Sequence, residues 1–303
     1  MNHHVLPPLA FVLCTGLLVP WLLVRARWAQ QVPRLALAVW AVSGVLFAGS
    51  AALLPAQLIL PSNAGHQLSD TLFTFSLPRA DTLTRLGAQE GVAAAVALAI
   101  ASVPLGAFAH ALVRARRERL RHARALSLVG RYDATLRATV LDHRRPAVYC
   151  LPGRVRRVVV SSGALDTLTT PQLDAALAHE RAHIAGRHHL LVAAVESFAT
   201  IFPHLPLARH GRTAVPLLLE MAADDRALHR CSRDALATAL YALASGKAPT
   251  EAFGAGGPSA ALRMRRILAP HSNGHPILWG MLTIASAALA AAPLIIACCS
   301  FPN

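Results

Sequence analysis

The sequence predicts a mainly α-helical membrane protein, with four spanning helices and a small α+β domain inserted between the third and the fourth. Two observations carry that reading. The 303 residues are 54% hydrophobic and only 15% charged, with a mean hydropathy of +0.45, outside the usual range of a soluble domain. The apolar residues also gather into four runs, about residues 5–24, 35–60, 91–113 and 276–299, each close to the ~20 residues a helix needs to cross the hydrocarbon core. The chain therefore divides into a membrane region at 1–113, a domain at 114–275 and a last span at 276–303.

The first run also invites a signal-peptide reading. It has no basic segment before it, however, and Arg25 and Arg27 follow it where a small-residue cleavage site would stand, so it reads as a span. Orientation follows from the arginines, which short cytoplasmic loops retain. Arg25, Arg27 and Arg34 follow the first run. Residues 61–89 hold only Arg79 and Arg85, offset by Asp70 and Asp81. The third run leads at once into "RARRERLRHAR", with Arg114, Arg116, Arg117, Arg119, Arg121 and Arg124. This pattern puts both termini outside and the inserted domain in the cytoplasm. Much of the net charge of +14 lies in that stretch, where anionic lipid headgroups are the simplest partner. No nucleic-acid motif accompanies it, so no direct nucleic-acid binding is expected. Five cysteines (Cys14, Cys150, Cys231, Cys298 and Cys299) are scattered over three environments and read as buried residues rather than a disulfide framework.

Within the domain, "AVYCLPGRVRRVVVSSGAL" holds two β-rich runs, about 147–151 and 155–161, around Pro152–Gly153, which predicts a hairpin. A helix follows, with Thr170 as its cap and Pro171 in its first turn. No further proline occurs until Pro203, and a mid-helix glycine costs only about 1 kcal/mol, so the helix is expected to run on through Gly186. The stretch 190–202 is apolar but short and carries Glu196. It reads as a buried or membrane-docked helix rather than a fifth span.

That helix carries "HERAH". His179 and His183 lie one turn apart on one face, so two imidazole nitrogens can meet one zinc ion, and Glu180 beside them can take a proton from a zinc-held water. Fifteen histidines in 303 residues would yield such a match by chance only about 0.015 times.

A catalytic zinc takes three protein ligands. His189 completes H-E-x-x-H-x-x-G-x-x-H, a pattern in which Gly186 would break the helix and turn the chain back. Glu220 in "PLLLEMAADDRAL", with Pro216 able to start a helix, is the stronger candidate, because Asp224 one turn later can hold a ligand histidine from behind. The methionine turn that the His189 pattern needs is not evident at Met221 or Met264. A solvated helix face is the expected place of His188 and His189.

These stretches, "SSGALDTLTTPQLDAALAHERAHIAGRHHLL" and "EMAADDRAL", with three spans before and one after, resemble M56-type membrane metallopeptidases, the protease part of the BlaR1/MecR1 β-lactam receptors. The likeness to M48 peptidases such as HtpX is looser. The resemblance implies a gluzincin-like domain with His179, His183 and Glu220 as Zn2+ ligands, Glu180 as general base and Asp224 behind a ligand. It also implies a membrane-bound protease that cleaves a cytoplasmic protein, plausibly a BlaI-like repressor. The family often has an aspartate where His188 stands. No S-x-x-K occurs in the sequence, so acylation of such a serine by a β-lactam is not expected. Arg263 and Arg266 in "LRMRRIL" are candidates to stabilise the transition state, and the strand near Tyr149 is a candidate to hold an extended substrate. The alternatives are an HtpX-like quality-control protease and a catalytically inactive membrane scaffold.

Overall fold

The computed structural model describes residues 6–59, 88–151, 157–246 and 257–269. They fall into two compact units. One is built from residues of 6–109 and 195–214, the other from residues of 110–194 and 215–269.

The first unit begins with α1 (Leu6–Leu13), a π-helical segment (Cys14–Leu18) and α2 (Val19–Arg25) in unbroken succession. Pro20 has no N–H to give, so the α-helical bond to the carbonyl four residues back is lost, and a wider π turn just before it absorbs the mismatch. The Val19 N–H accordingly reaches the carbonyl of Cys14. Next come α3 (Arg27–Gln31) and α4 (Pro33–Ile59). Gly16 lets the first rod approach α4 closely, since a Cβ there would lie 3.0 Å from Phe47 Cε2. Phe47 in turn meets Phe198 and Phe202 edge-on, at centroid separations of 5.8 and 5.4 Å.

Two helices among the described residues are long and apolar enough to cross a membrane, Pro33–Ala52 of α4 and Leu98–Val129 of α5 (Ala88–Val129). They correspond to the second and third expected spans. The first expected span is an apolar but shorter helix, and the fourth lies outside the described residues. Along α5, Leu98 is 72% and Leu105 68% exposed. Large apolar side chains pointing away from the protein suit lipid, where they cost nothing, rather than water. Beyond the apolar run, α5 continues through the arginines to Val129.

The second unit opens with β1 (Gly130–Asp133), β2 (Ala138–Leu141), β3 (Val148–Leu151) and β4 (Arg157–Ser161). The sheet order is β1-β2-β4-β3, with β2 and β4 parallel and the outer pairs antiparallel. The expected hairpin is β3–β4, which leaves β3 at an edge. Ser161 ends the sheet and caps α6 (Ser162–Thr167), its hydroxyl accepting the Ala164 N–H at 3.0 Å and donating to the Arg145 carbonyl at 2.8 Å.

Then comes α7 (Thr170–Ala185), capped by Thr169 and Gln172 in a reciprocal capping box rather than by Thr170. The expected run through Gly186 does not occur. The helix stops at Ala185, Arg187 takes the left-handed φ of 50°, and α8 (His188–Ile201) starts afresh. Once Arg187 adopts that conformation the i→i−4 ladder cannot continue, so the motif sits in the last turns of α7 rather than mid-helix. Pro216 likewise lies inside α9 (Pro206–Ala227), not at its start. α10 (Arg233–Gly246) and α11 (Gly257–Leu268) complete the unit.

Two apolar clusters hold these elements. Val158, Val160, Leu173 and Leu177 join the sheet to α7, and Ala175, Ala227, Leu236 and Ile267 join α7, α9, α10 and α11. Arg233 anchors the end of α11 by donating to the carbonyls of Ile267 and Ala269 at 2.6 and 2.7 Å, where a cation also suits the helix dipole. Ile267, 1% exposed, is the apolar pin of that helix. Ile267→Ala should destabilise the protein by about 2–5 kcal/mol, the usual cost of such a truncation in a core, read as a lowered denaturation midpoint of the detergent-solubilised chain.

Candidate metal centre

His179 and His183 project from the last turns of α7 toward Glu220 of α9. Their Nε2 atoms are 3.1 Å apart, His179 Nε2 lies 3.4 Å from Glu220 Oε2, and His183 Nε2 lies 3.4 Å from Glu220 Oε1. A tetrahedral ion with N and O ligands at 2.0–2.2 Å holds its ligand atoms about 3.3–3.5 Å apart. The donor set therefore fits a metal of that size. It is also the group of potential metal ligands that the described residues bring together.

Behind it lies a buried charge network. Asp224, fully buried and one turn beyond Glu220, places Oδ1 3.0 Å from His179 Nδ1. Arg263 reaches in from α11. Its Nε and Nη2 donate to the two oxygens of Asp224, each at 2.8 Å, and its Nη1 contacts Glu220 Oε2 at 2.8 Å. Arg266 is turned to Asp225, with Nη2 donating to Oδ2 at 2.8 Å.

The network separates the proton affinities of its members. Burial alone would lower His179, but its hydrogen bonds to Asp224 and Glu220 and their charges raise it to about 9. His183 is lowered to about 4, by burial first and then by the charges of His179, His188 and Arg263, against the pull of Glu220. Burial would raise Glu220, but the His179 hydrogen bond and the Arg263 charge bring it to about 2. Asp224 is likewise brought to about 2, by hydrogen bonds from Arg263 and His179. Glu180 moves the other way, raised chiefly by burial.

Three arrangements had no sequence signal. Glu180 lies near Cys150 of the edge strand, whose thiol and backbone offset part of the effect of burial on its carboxyl. Burial and the Glu180 charge push that thiol up to about 12, so Cys150 is more than the plain buried residue expected. His188 is not on a solvated face. Its Nδ1 lies 2.8 Å from His183 Nδ1, and the two rings meet at 86° with centroids 4.8 Å apart. Arg263 binds the two carboxylates rather than standing clear of them. His189, the alternative ligand, is not in the His179–His183–Glu220 group; it is part-buried, with its pKa lowered by burial and by the charges of Arg119 and Arg187. Met221 and Met264 lie inside α9 and α11, so neither forms a methionine turn.

Residues 114–215 match the family model of peptidase family M48. The chain carries a metallopeptidase domain. The match takes in the sheet, the "HERAH" helix and the start of α9, and ends before Glu220. No curated protein and no solved structure matches the chain. M48 peptidases are metal-dependent, and His179 and His183 inside the match, with Glu220 beyond it, form the group that could hold an ion.

At pH 7 His179, raised to about 9, carries a proton, whereas His183, lowered to about 4, and Glu220, lowered to about 2, do not. A cation taken up by both Nε2 atoms must displace that proton. Calorimetric titration in buffers of different ionisation enthalpy should therefore show the ligand set releasing close to one proton at pH 7 and progressively less above pH 9.

Proposed function

We propose that the chain is a membrane-anchored zinc endopeptidase, with His179, His183 and Glu220 as the zinc ligands and Glu180 as the general base. The observation that carries this reading is the convergence of three ligand side chains, the two Nε2 atoms 3.1 Å apart and each 3.4 Å from one of the two Glu220 oxygens, with Glu180 next to the first of them in the same turn. When bound, zinc supplies a Lewis acid that polarises the scissile carbonyl and lowers the pKa of a water toward ~7.

The side chains supply the rest. Glu180 accepts the proton of the attacking water and passes it to the leaving amine, and its raised pKa brings it nearer the operating pH than an exposed carboxylate. The Asp224 carboxylate, its Oδ1 3.0 Å from His179 Nδ1, favours the neutral-ring proton on Nδ1 and so leaves the Nε2 lone pair to the ligand set. Arg263 fixes Asp224 and Glu220 relative to one another. The free side of β3 offers backbone groups on which an extended peptide can be laid as a further strand, beside Glu180.

The M48 match supports an HtpX-like enzyme that cuts many membrane or cytoplasmic proteins over one dedicated to a BlaI-like repressor. The exposed apolar side of α5, followed directly by the arginine run, supports a domain on the cytoplasmic side of the bilayer. An intact Glu180 argues against a catalytically inactive scaffold.

Glu220→Ala should abolish stoichiometric zinc binding, while His189→Ala keeps it. Glu180→Gln should keep zinc and lose about 10²–10⁴-fold in peptide cleavage. Zinc retained in Glu220→Ala would overturn the ligand set, and a proteomic comparison with Glu180→Gln that found one accumulating substrate would favour the repressor-type enzyme.

A further inference from the structure

We infer that His188 is a positioning residue for the metal centre, holding the ring of His183 by its far nitrogen, and that Gly186 is required for it to do so. The inference rests on the ligand set proposed above. His183 turns Nε2 toward His179 and Glu220, so that is the nitrogen available to an ion, and Nδ1 lies on the other side of the ring. There, 2.8 Å away, is Nδ1 of His188.

Two imidazole nitrogens at that distance share one proton, one donating and one accepting. The direction is fixed by chemistry. If His188 donated, the proton of a neutral His183 would sit on Nε2 and block the ion. Hence Nδ1–H of His183 donates, Nδ1 of His188 accepts, and the His188 proton is on Nε2. Both ligand histidines are then gripped from behind, His179 by Asp224 and His183 by His188.

The chain builds this contact with the helix break. In an unbroken helix a residue five positions on lies about 140° round the axis and faces away. The end of α7 at Ala185 and the left-handed φ of Arg187 fold His188 back over the end of its own helix. Its ring then lies across Gly186, where a Cβ would stand 2.3 Å from Nε2 and 2.4 Å from Cδ2 of His188. No Cβ fits there with the ring in place, so a substituted residue 186 must shift the ring.

The test uses the full chain in detergent and zinc itself, with affinity read by chelator competition. His188→Ala and Gly186→Ala should each weaken zinc about 10–100-fold, the usual loss when a ligand histidine loses its outer partner. His188→Asn, whose Oδ1 can stand where Nδ1 stood, should recover most of it. The double variant should be no weaker than His188→Ala alone. The visible spectrum of the cobalt-substituted protein should change in His188→Ala and return in His188→Asn, which a loss of fold stability would not produce. Zinc affinity within about threefold of wild type in His188→Ala would overturn the role of His188. Additive losses in the double variant would overturn that of Gly186. A wild type that takes up no zinc, or a Glu220→Ala variant that keeps it, would overturn the ligand set instead, so the two failures are distinguishable.

Discussion

The centre depends on the two-pronged bond between Arg263 and Asp224. Asp224 is entirely buried, and a carboxylate in that position costs several kcal/mol unless its lone pairs are met. The guanidinium meets them with two donors at 2.8 Å, a geometry that lysine cannot reproduce. From this bond the other parts are hung. The same Asp224 oxygen that accepts Arg263 Nη2 lies 3.0 Å from His179 Nδ1, and the remaining prong of Arg263 holds Glu220. Three helices that are distant in sequence are thereby fixed at one point. The grip of Arg233 on the last carbonyls of α11 and the burial of Ile267 keep Arg263 in reach.

The two sides of the centre are built differently. On the α9–α11 side the ligands are set by charge. On the α7–α8 side they are set by backbone conformation, a left-handed residue and a glycine, with a second imidazole as the partner. Glu180 stands by the edge strand, in surroundings that favour its protonated form while those of Glu220 and Asp224 favour the ionised one. Carboxylates of one site, drawn from different helices, are thus assigned opposite tasks by what surrounds them.

Much of this was legible in the sequence where a local rule applied. The four-residue spacing puts His179 and His183 on one face, and the same spacing puts Asp224 behind Glu220. The β-rich runs around Pro152–Gly153 gave the hairpin, and apolar length gave α4 and α5. What was not legible depended on choices that local rules leave open. Glycine suits a helix interior and a helix end alike, and the residue that decided between them was Arg187, whose left-handed backbone no composition rule marks. His188 could not be placed without that break. Arg263 was noticed for its charge, but its partner lies 39 residues away and is chosen by the packing of α11. Cys150 meets Glu180 only because β3 is at the edge beside α7. The residues of the fourth expected span lie outside those described.

The balance of charge around Glu220 has a consequence for how the ion comes and goes. Small zinc modules that lack a core of their own fold only as the metal binds. Here the carboxylates are neutralised by groups of the chain, the Arg263 fork and the proton of His179, and the surrounding helices are joined by their own apolar clusters. Loading is then an exchange of one cation for another, a proton for a metal, inside a scaffold that is already built. Uptake of an ion would then need access to the site but no folding of the chain.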